Sequence, residues 1–246
     1  MNTSLQDQVA IVTGGSRGYG AGIAESLARA GARVWITGRD EAALRATAER
    51  LAPLGVRAVR ADATSAGDWD RLLGEVLAAH QRLDILINNA GEGVRIAPAA
   101  EQTDDEIERS LATNLTGALL GCRRAAAIMQ RQRSGLIINV GSVCARHAWP
   151  GWSVYSAAKA GLLQFTRCLF TEMRPHGVHV TSVIPSWGQT GFTQAAGLGE
   201  RPADVLAQCI APRELGELIV QLAQTPAHLV TEEITLWPMV QPVGQL

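Results

Sequence analysis

The chain is poor in aromatic residues and in charge. Aromatics supply 4% of its 246 residues, and Asp, Glu, Lys and Arg together 18%. Neither sign dominates: 22 basic residues against 23 acidic ones leave a net charge of -1, which argues against an electrostatic grip on DNA, RNA or anionic lipid. The cysteines, Cys122, Cys144, Cys168 and Cys209, lie too far apart for any zinc-ligand spacing. No apolar run approaches the roughly 20 residues needed to cross a bilayer, and the opening MNTSLQDQ lacks a basic-then-apolar secretion signal. These absences predict a cytoplasmic protein with reduced, mostly buried thiols, with no nucleic-acid or membrane partner and no metal.

Apolar residues and glycine are plentiful instead. Hydrophobic residues make up 47% of the chain, enough for a large core, and 25 residues are Gly. Among the few aromatics, six are Trp, against two Tyr and three Phe. Short β-branched runs at 8–13, 33–37, 56–61, 83–88, 135–141, 178–184 and 232–237 read as strands. Between them, helical patterns fall at 23–30, 40–52, 65–79, 104–132, 153–174 and 211–224, with Thr103 to Glu106 as a capping box. Uniformly apolar strands alternating with helices predict one α/β domain over 1–246. It is a doubly wound, Rossmann-type sheet of about seven parallel strands with helices on both faces. The one long irregular stretch, 186–210, is expected to be a functional substrate loop.

Strand 8–13 runs into a glycine-rich turn, where close backbone approach and a helix N-terminus suit a phosphate. Its spacing, Thr13-Gly14-x-x-x-Gly18-x-Gly20, resembles the short-chain dehydrogenase/reductase family. Asn88-Asn89-Ala90-Gly91 after the fourth strand, Asp62-Ala63 after the third, Ser142, and Tyr155-x-x-x-Lys159 follow in the family's order, in register over about 7–190. The resemblance implies that Ser142, Tyr155, Lys159 and Asn114 are catalytic. It also implies that Gly14, Ser16, Arg17, Gly18, Tyr19, Gly20, Thr37, Asp62, Ala63, Asn89, Ala90, Gly91, Tyr155, Lys159, Pro185, Gly188 and Thr190 hold a nicotinamide cofactor. Family members are commonly tetramers through the two long helices, so a homotetramer or homodimer is expected. Two departures stand out: Ser186 replaces the glycine that usually follows Pro185, and the tail lacks the common Asp-Gly-Gly ending.

An acid after the second strand would bind the ribose 2′-hydroxyl of NAD; this chain has Gly38 there, followed by Arg39. Arg39 with Arg17 could clamp a 2′-phosphate, which predicts NADP(H); the alternative is an Arg39 paired with Asp40 or Glu41. Tyr155 and Lys159 share one helix face, so the ammonium, helped by oxidised nicotinamide, is expected to lower the phenol pKa. The expected chemistry is hydride transfer between NADP(H) and a small-molecule ketone or secondary alcohol, with Tyr155 as general acid/base. His147, Trp149, Trp152 and Trp187 are substrate candidates that would suit a bulky apolar or aryl ketone; the same Trp residues could equally pack the core or a subunit contact. Cys144 reads as pocket lining or core, and Glu92 and Arg95 as possible polar contacts. A non-catalytic NADP-binding sensor on the same fold is the main rival. A cofactor-free lyase or dehalogenase would need a broken nucleotide loop and an altered lysine.

Overall fold

In the computed structural model, which describes residues 4–93 and 95–242, the apolar runs form one parallel sheet. The first half of the chain gives β1 (Val9–Val12), α1 (Gly18–Arg29), β2 (Arg33–Gly38), α2 (Glu41–Leu51), β3 (Arg57–Arg60), α3 (Ala66–His80) and β4 (Ile85–Asn88). There follow α4 (Asp104–Leu111), α5 (Gly117–Gln132), β5 (Gly135–Val140), α6 (Ser153–Met173) and β6 (Val178–Pro185). The short helices α7 (Phe192–Ala195) and α8 (Ala203–Leu206) precede α9 (Pro212–Ala223) and β7 (Glu233–Leu236). The strand order is β3-β2-β1-β4-β5-β6-β7, every neighbour parallel.

Strand residues alternate between two cores, which explains why they read as unbroken apolar runs. Ala10, Val12, Ile85 and Ile87 face α1, α2 and α9 through Ile23, Leu27, Leu44 and Ile219. Val9, Ile11 and Leu86 face α3, α5 and α6 through Leu72, Val76, Met129 and Leu169. The capping box opens α4: the Thr103 amide donates to Glu106 Oε2 (2.9 Å), and the Glu106 amide to Thr103 Oγ1 (3.2 Å). No helix of the described residues is long and apolar enough to cross a membrane.

Two elements differ from the sequence reading. Helix α1 begins at Gly18 instead of 23, so Gly18, Gly20 and Gly22 fall in the first turns of the helix while Gly14 stays in the loop before it. Their weak helix propensity masks this, but packing demands them: a Cβ on Gly22 would lie 2.4 Å from the Pro212 carbonyl oxygen of α9. The single helix expected over 104–132 is divided by a π-helical turn, Ala112–Thr116, closed by the Gly117 amide on the Ala112 carbonyl. That turn carries Asn114, and wide turns of this kind recur where a helix must aim a functional side chain.

Between β1 and β4 the order in which strands are added reverses: β2 and β3 build outward on one side, β5 to β7 on the other. The crevice beyond the strand ends at such a switch point is where a parallel α/β sheet binds its ligand.

Candidate functional site

A cleft of about 410 Å³ opens at that point, within the range of small-molecule sites. It is lined by every candidate named above except Gly20, His147 and Arg95.

One wall is built by β1, β4 and the glycine loop. Thr13 Oγ1 accepts from the amides of both Asn89 and Ala90 at 3.0 Å. Asn89 Nδ2 donates back to the Thr13 and Gly14 carbonyls at 3.0 and 3.3 Å. The two strand ends are thereby locked together. Gly14 has φ +64°, and a Cβ there would lie 2.9 Å from Ala90 Cα, so only glycine permits this junction. Gly20 lies beneath the loop: its Cβ would meet the Gly14 carbonyl oxygen at 2.1 Å. Its contribution is close packing, which brings the positive end of α1 and its free amides up to the cleft.

Ser16, Thr37, Gly38, Arg39, Asp62 and Ala63 line the far end. Arg39 pairs with neither Asp40 nor Glu41. Its guanidinium donates to Glu92 Oε2 at 2.8 Å, 53 residues away, and Glu92 Oε1 lies 3.5 Å from Arg109. Asp40 instead caps α2 by accepting from the Ala43 amide (3.1 Å). Asp62 Oδ1 accepts from the Thr64 amide and hydroxyl at 2.9 and 2.8 Å. Arg17 is exposed at the cleft edge.

At the centre, Ser142 follows β5 while Tyr155 and Lys159 stand one turn apart on α6, both buried. Lys159 Nζ donates to the Val140 carbonyl at 3.1 Å and lies 5.7 Å from the Tyr155 ring centroid. Burial pushes its pKa down to about 8, so it remains a cation at neutral pH. Asn114 grips the backbone of Glu92 twice, Nδ2 donating to its carbonyl (3.1 Å) and Oδ1 accepting its amide (3.2 Å). A Cβ on Gly91 would lie 3.1 Å from Asn114 Oδ1 and 3.6 Å from Lys159 Nζ, which brings these two groups to one spot.

The lowering of the phenol pKa expected from Lys159 and oxidised nicotinamide together is opposed by the chain's own residues. From the chain's own residues, burial pushes the Tyr155 pKa up, with the Cys144 thiol adding to the rise and hydrogen bonding from Ser142 opposing it. Lys159, turned to the Val140 carbonyl, does not reverse this. Tyr155 is therefore a protonated donor at neutral pH.

Aromatic rings form another side of the cleft. Trp152 meets the Tyr155 ring at 5.8 Å, Trp149 at 6.5 Å, and stacks on Phe192 of α7 at 6.3 Å; Phe192 lies 5.3 Å from Tyr155. His147 is behind this wall, stacked on the Trp149 ring at 5.6 Å and edge-on to Trp237 at 5.2 Å, which orients Trp149 without reaching the cleft. Arg95 is likewise engaged elsewhere, with Glu106 at 2.9 Å. Cys144 lines the cleft beneath Tyr155, its thiol pKa pushed up by burial, as befits lining rather than a nucleophile.

Over the top runs 186–210, tied down where Gly188 bridges Ile210. It contributes Trp187, Phe192, Leu198 and Arg201 to the lining. Sequence reasoning missed Phe192, Leu198 and Arg201. One signal was available: Arg201 is the lone basic residue of the segment.

The arrangement offers a cradle too tight for side chains, a helix N-terminus, and a buried Tyr19 hydroxyl without a partner among the described residues. These features fit the phosphates of a dinucleotide. Comparison with known proteins agrees. The model of the short chain dehydrogenase family matches residues 8–201. An uncharacterized oxidoreductase of Staphylococcus saprophyticus is 32% identical over 239 residues, covering 96% of this chain and 99% of that protein. A metagenomic short-chain oxidoreductase solved in complex with NADP is 31% identical, with a TM-score of 0.83 over 97% of this chain and all of that one. The closed form of a serine dehydrogenase complexed with NADP+ is 26% identical, with a TM-score of 0.87 over 97% and 98% of the two chains. With its seven-stranded sheet, its glycine loop and its Ser-Tyr-Lys centre, this chain belongs to the short-chain dehydrogenases, a family of nicotinamide-dependent oxidoreductases.

Proposed function

We propose that the protein is an NADP(H)-dependent carbonyl reductase acting on a bulky apolar or aryl ketone, or on the corresponding alcohol. The convergence of Ser142, Tyr155, Lys159 and Asn114 beside the glycine loop carries this reading. When bound, NADP(H) supplies or accepts the hydride. Gly14, Ser16, Gly18, Tyr19 and the Asn89-Ala90-Gly91 turn would hold it, with Thr37, Asp62, Ala63, Pro185, Gly188 and Thr190 along its length. Arg39 and Arg17 would take the 2′-phosphate by charge-assisted hydrogen bonds, Arg39 exchanging Glu92 for the phosphate.

Tyr155 donates its proton to the carbonyl oxygen as that oxygen becomes an alkoxide, and Ser142 orients the same oxygen. A phenol held neutral by burial suits this direction; alcohol oxidation needs the phenolate, so it should rise with pH. Lys159 would hold the cofactor ribose, and its positive charge stabilises the phenolate left when Tyr155 has given up its proton, before that proton is replaced. Asn114 stands at the inner end of that proton path. The rings of Trp149, Trp152, Phe192 and Trp187 favour an apolar substrate body and exclude water.

Further parts of the reading are a cytoplasmic location, a single domain with 186–210 as substrate loop, and assembly as a homotetramer or homodimer through α4–α5 and α6. The exposed Ala127 and Ala157 would let such helices approach closely, and sedimentation at micromolar concentration tests the assembly. The main test is a panel of ketones with each reduced cofactor. Efficiency with NADPH should exceed that with NADH by about tenfold or more, the worth of a charge-assisted contact. Equal or better efficiency with NADH would refute the assignment.

A further inference from the structure

Two polar groups of the cleft have no hydrogen-bond or ion-pair partner among the described residues. The Tyr19 hydroxyl is buried and makes no hydrogen bond among the described residues. It is seated against the backbone of Gly188, where a Cβ would fall 2.0 Å from it, so glycine at 188 is what gives the phenol its place. Arg201, on the segment over the cleft, has no ion pair or hydrogen bond among the described residues. Its guanidinium lies on the Trp187 ring, 4.1 Å from the centroid, and partial burial pushes its pKa down. Both line the same cleft, close enough for the guanidinium's charge to act on the phenol.

A half-buried guanidinium with no carboxylate and a buried hydroxyl with no acceptor are both costly unless a ligand satisfies them. Both are donors: burial keeps the Tyr19 phenol protonated. A guanidinium that can only donate, beside a hydroxyl able to donate, suits an anion, and their placement selects which one. Tyr19 belongs to the glycine loop at the start of α1. Arg201 lines the same cleft from the segment 186–210, beside Gly188 on which the Tyr19 hydroxyl rests. The anion therefore sits where the glycine loop meets that segment.

We infer that the Tyr19 hydroxyl and the Arg201 guanidinium form a clamp for the diphosphate bridge of the dinucleotide, through which 186–210 closes on the cofactor. This rests on the dinucleotide reading above. The planar guanidinium can donate to two phosphate oxygens while stacked on Trp187, leaving a third for Tyr19.

Equilibrium titrations of wild type, Arg201→Gln, Tyr19→Phe and Arg39→Ala with NADP+ and with NAD+ test it, with thermal melts to check folding. Because the diphosphate is common to both dinucleotides, Arg201→Gln should weaken both by about tenfold and leave their ratio unchanged. Tyr19→Phe should weaken both by roughly threefold, whereas Arg39→Ala should move the ratio. Unchanged Kd values in folded Arg201→Gln would overturn the clamp. So would a loss confined to NADP+, which would move Arg201 to the 2′-phosphate. A raised KM for a carboxylate-bearing ketone with cofactor Kd unchanged would make Arg201 a substrate contact and also overturn it. A wild type that binds neither dinucleotide would overturn the underlying reading, and the clamp with it.

Discussion

The two walls of the cleft are built on opposite principles. On the glycine-loop side the polar groups of the junction are used up internally: Thr13 accepts two amides, and Asn89 returns two bonds to the loop. On the side of 186–210, rings face rings, and Arg201 and the neighbouring Tyr19 hydroxyl are left for a ligand. A wall whose bonds are internally satisfied is set before any ligand arrives. A wall with donors to spare is completed by what it binds. The first suits a fixed seat for the cofactor, the second a segment that closes on what is bound, its spare donors on the diphosphate and its rings on the substrate.

The largest effect should come where the walls meet. Tyr155→Phe is expected to lower turnover by about a thousandfold, the scale of general acid catalysis, with NADPH affinity changed by less than roughly threefold. Steady-state rates and a binding titration check both halves.

Lys159→Met should also abolish turnover, yet stabilise the fold. The folded pKa is about 8 against 10.5 for the free side chain, so below pH 8 the protein carries the full cost of a buried cation. Between pH 8 and 10.5 the unfolded chain still binds a proton that the folded one has released, and wild-type stability rises with pH. The variant should therefore be about 2–3 kcal/mol more stable at pH 7, the gain fading over that window; denaturant melts at several pH values measure it.

Arg39→Ala should lose roughly ten- to a hundredfold of the preference for NADPH over NADH, and Glu92→Gln should raise it severalfold by freeing the guanidinium. Kd ratios for the two cofactors report this. The smallest pair of effects tests the contrast itself. Thr13→Ala, which strips the acceptor from two amides, should cost about 1–3 kcal/mol of stability. Trp187→Ala, which removes a stacked cation partner, should cost under about 1 kcal/mol while changing the KM for apolar ketones. Equal melting shifts for the two would erase the distinction between the walls.

The fold was legible because strands buried on both faces cannot hide their apolar runs, and the motifs fall at the strand ends where chemistry is possible. The start of α1 was not, since Gly18, Gly20 and Gly22 signal a turn locally, whereas Gly20 and Gly22 are required by the close packing of α1 on Gly14 and Pro212. The π turn at Asn114 adds one residue to a helical repeat, a shift of phase too small to read against the noise of a single sequence. The Arg39–Glu92 pair escaped for another reason: its partners meet only through the sheet, across the switch point. His147 shows the limit of proximity in sequence, because a loop two residues from Trp149 can present either side to the cleft.

The central claim, direct hydride transfer from NADPH to a ketone in this cleft, is tested most directly with NADPH deuterated at the transferable position of its nicotinamide ring. Mass spectrometry of the alcohol formed from an aryl ketone should find the deuterium on the carbinol carbon, one per NADPH consumed. An alcohol without the label, or no consumption of NADPH across a panel of apolar and aryl ketones, would contradict it.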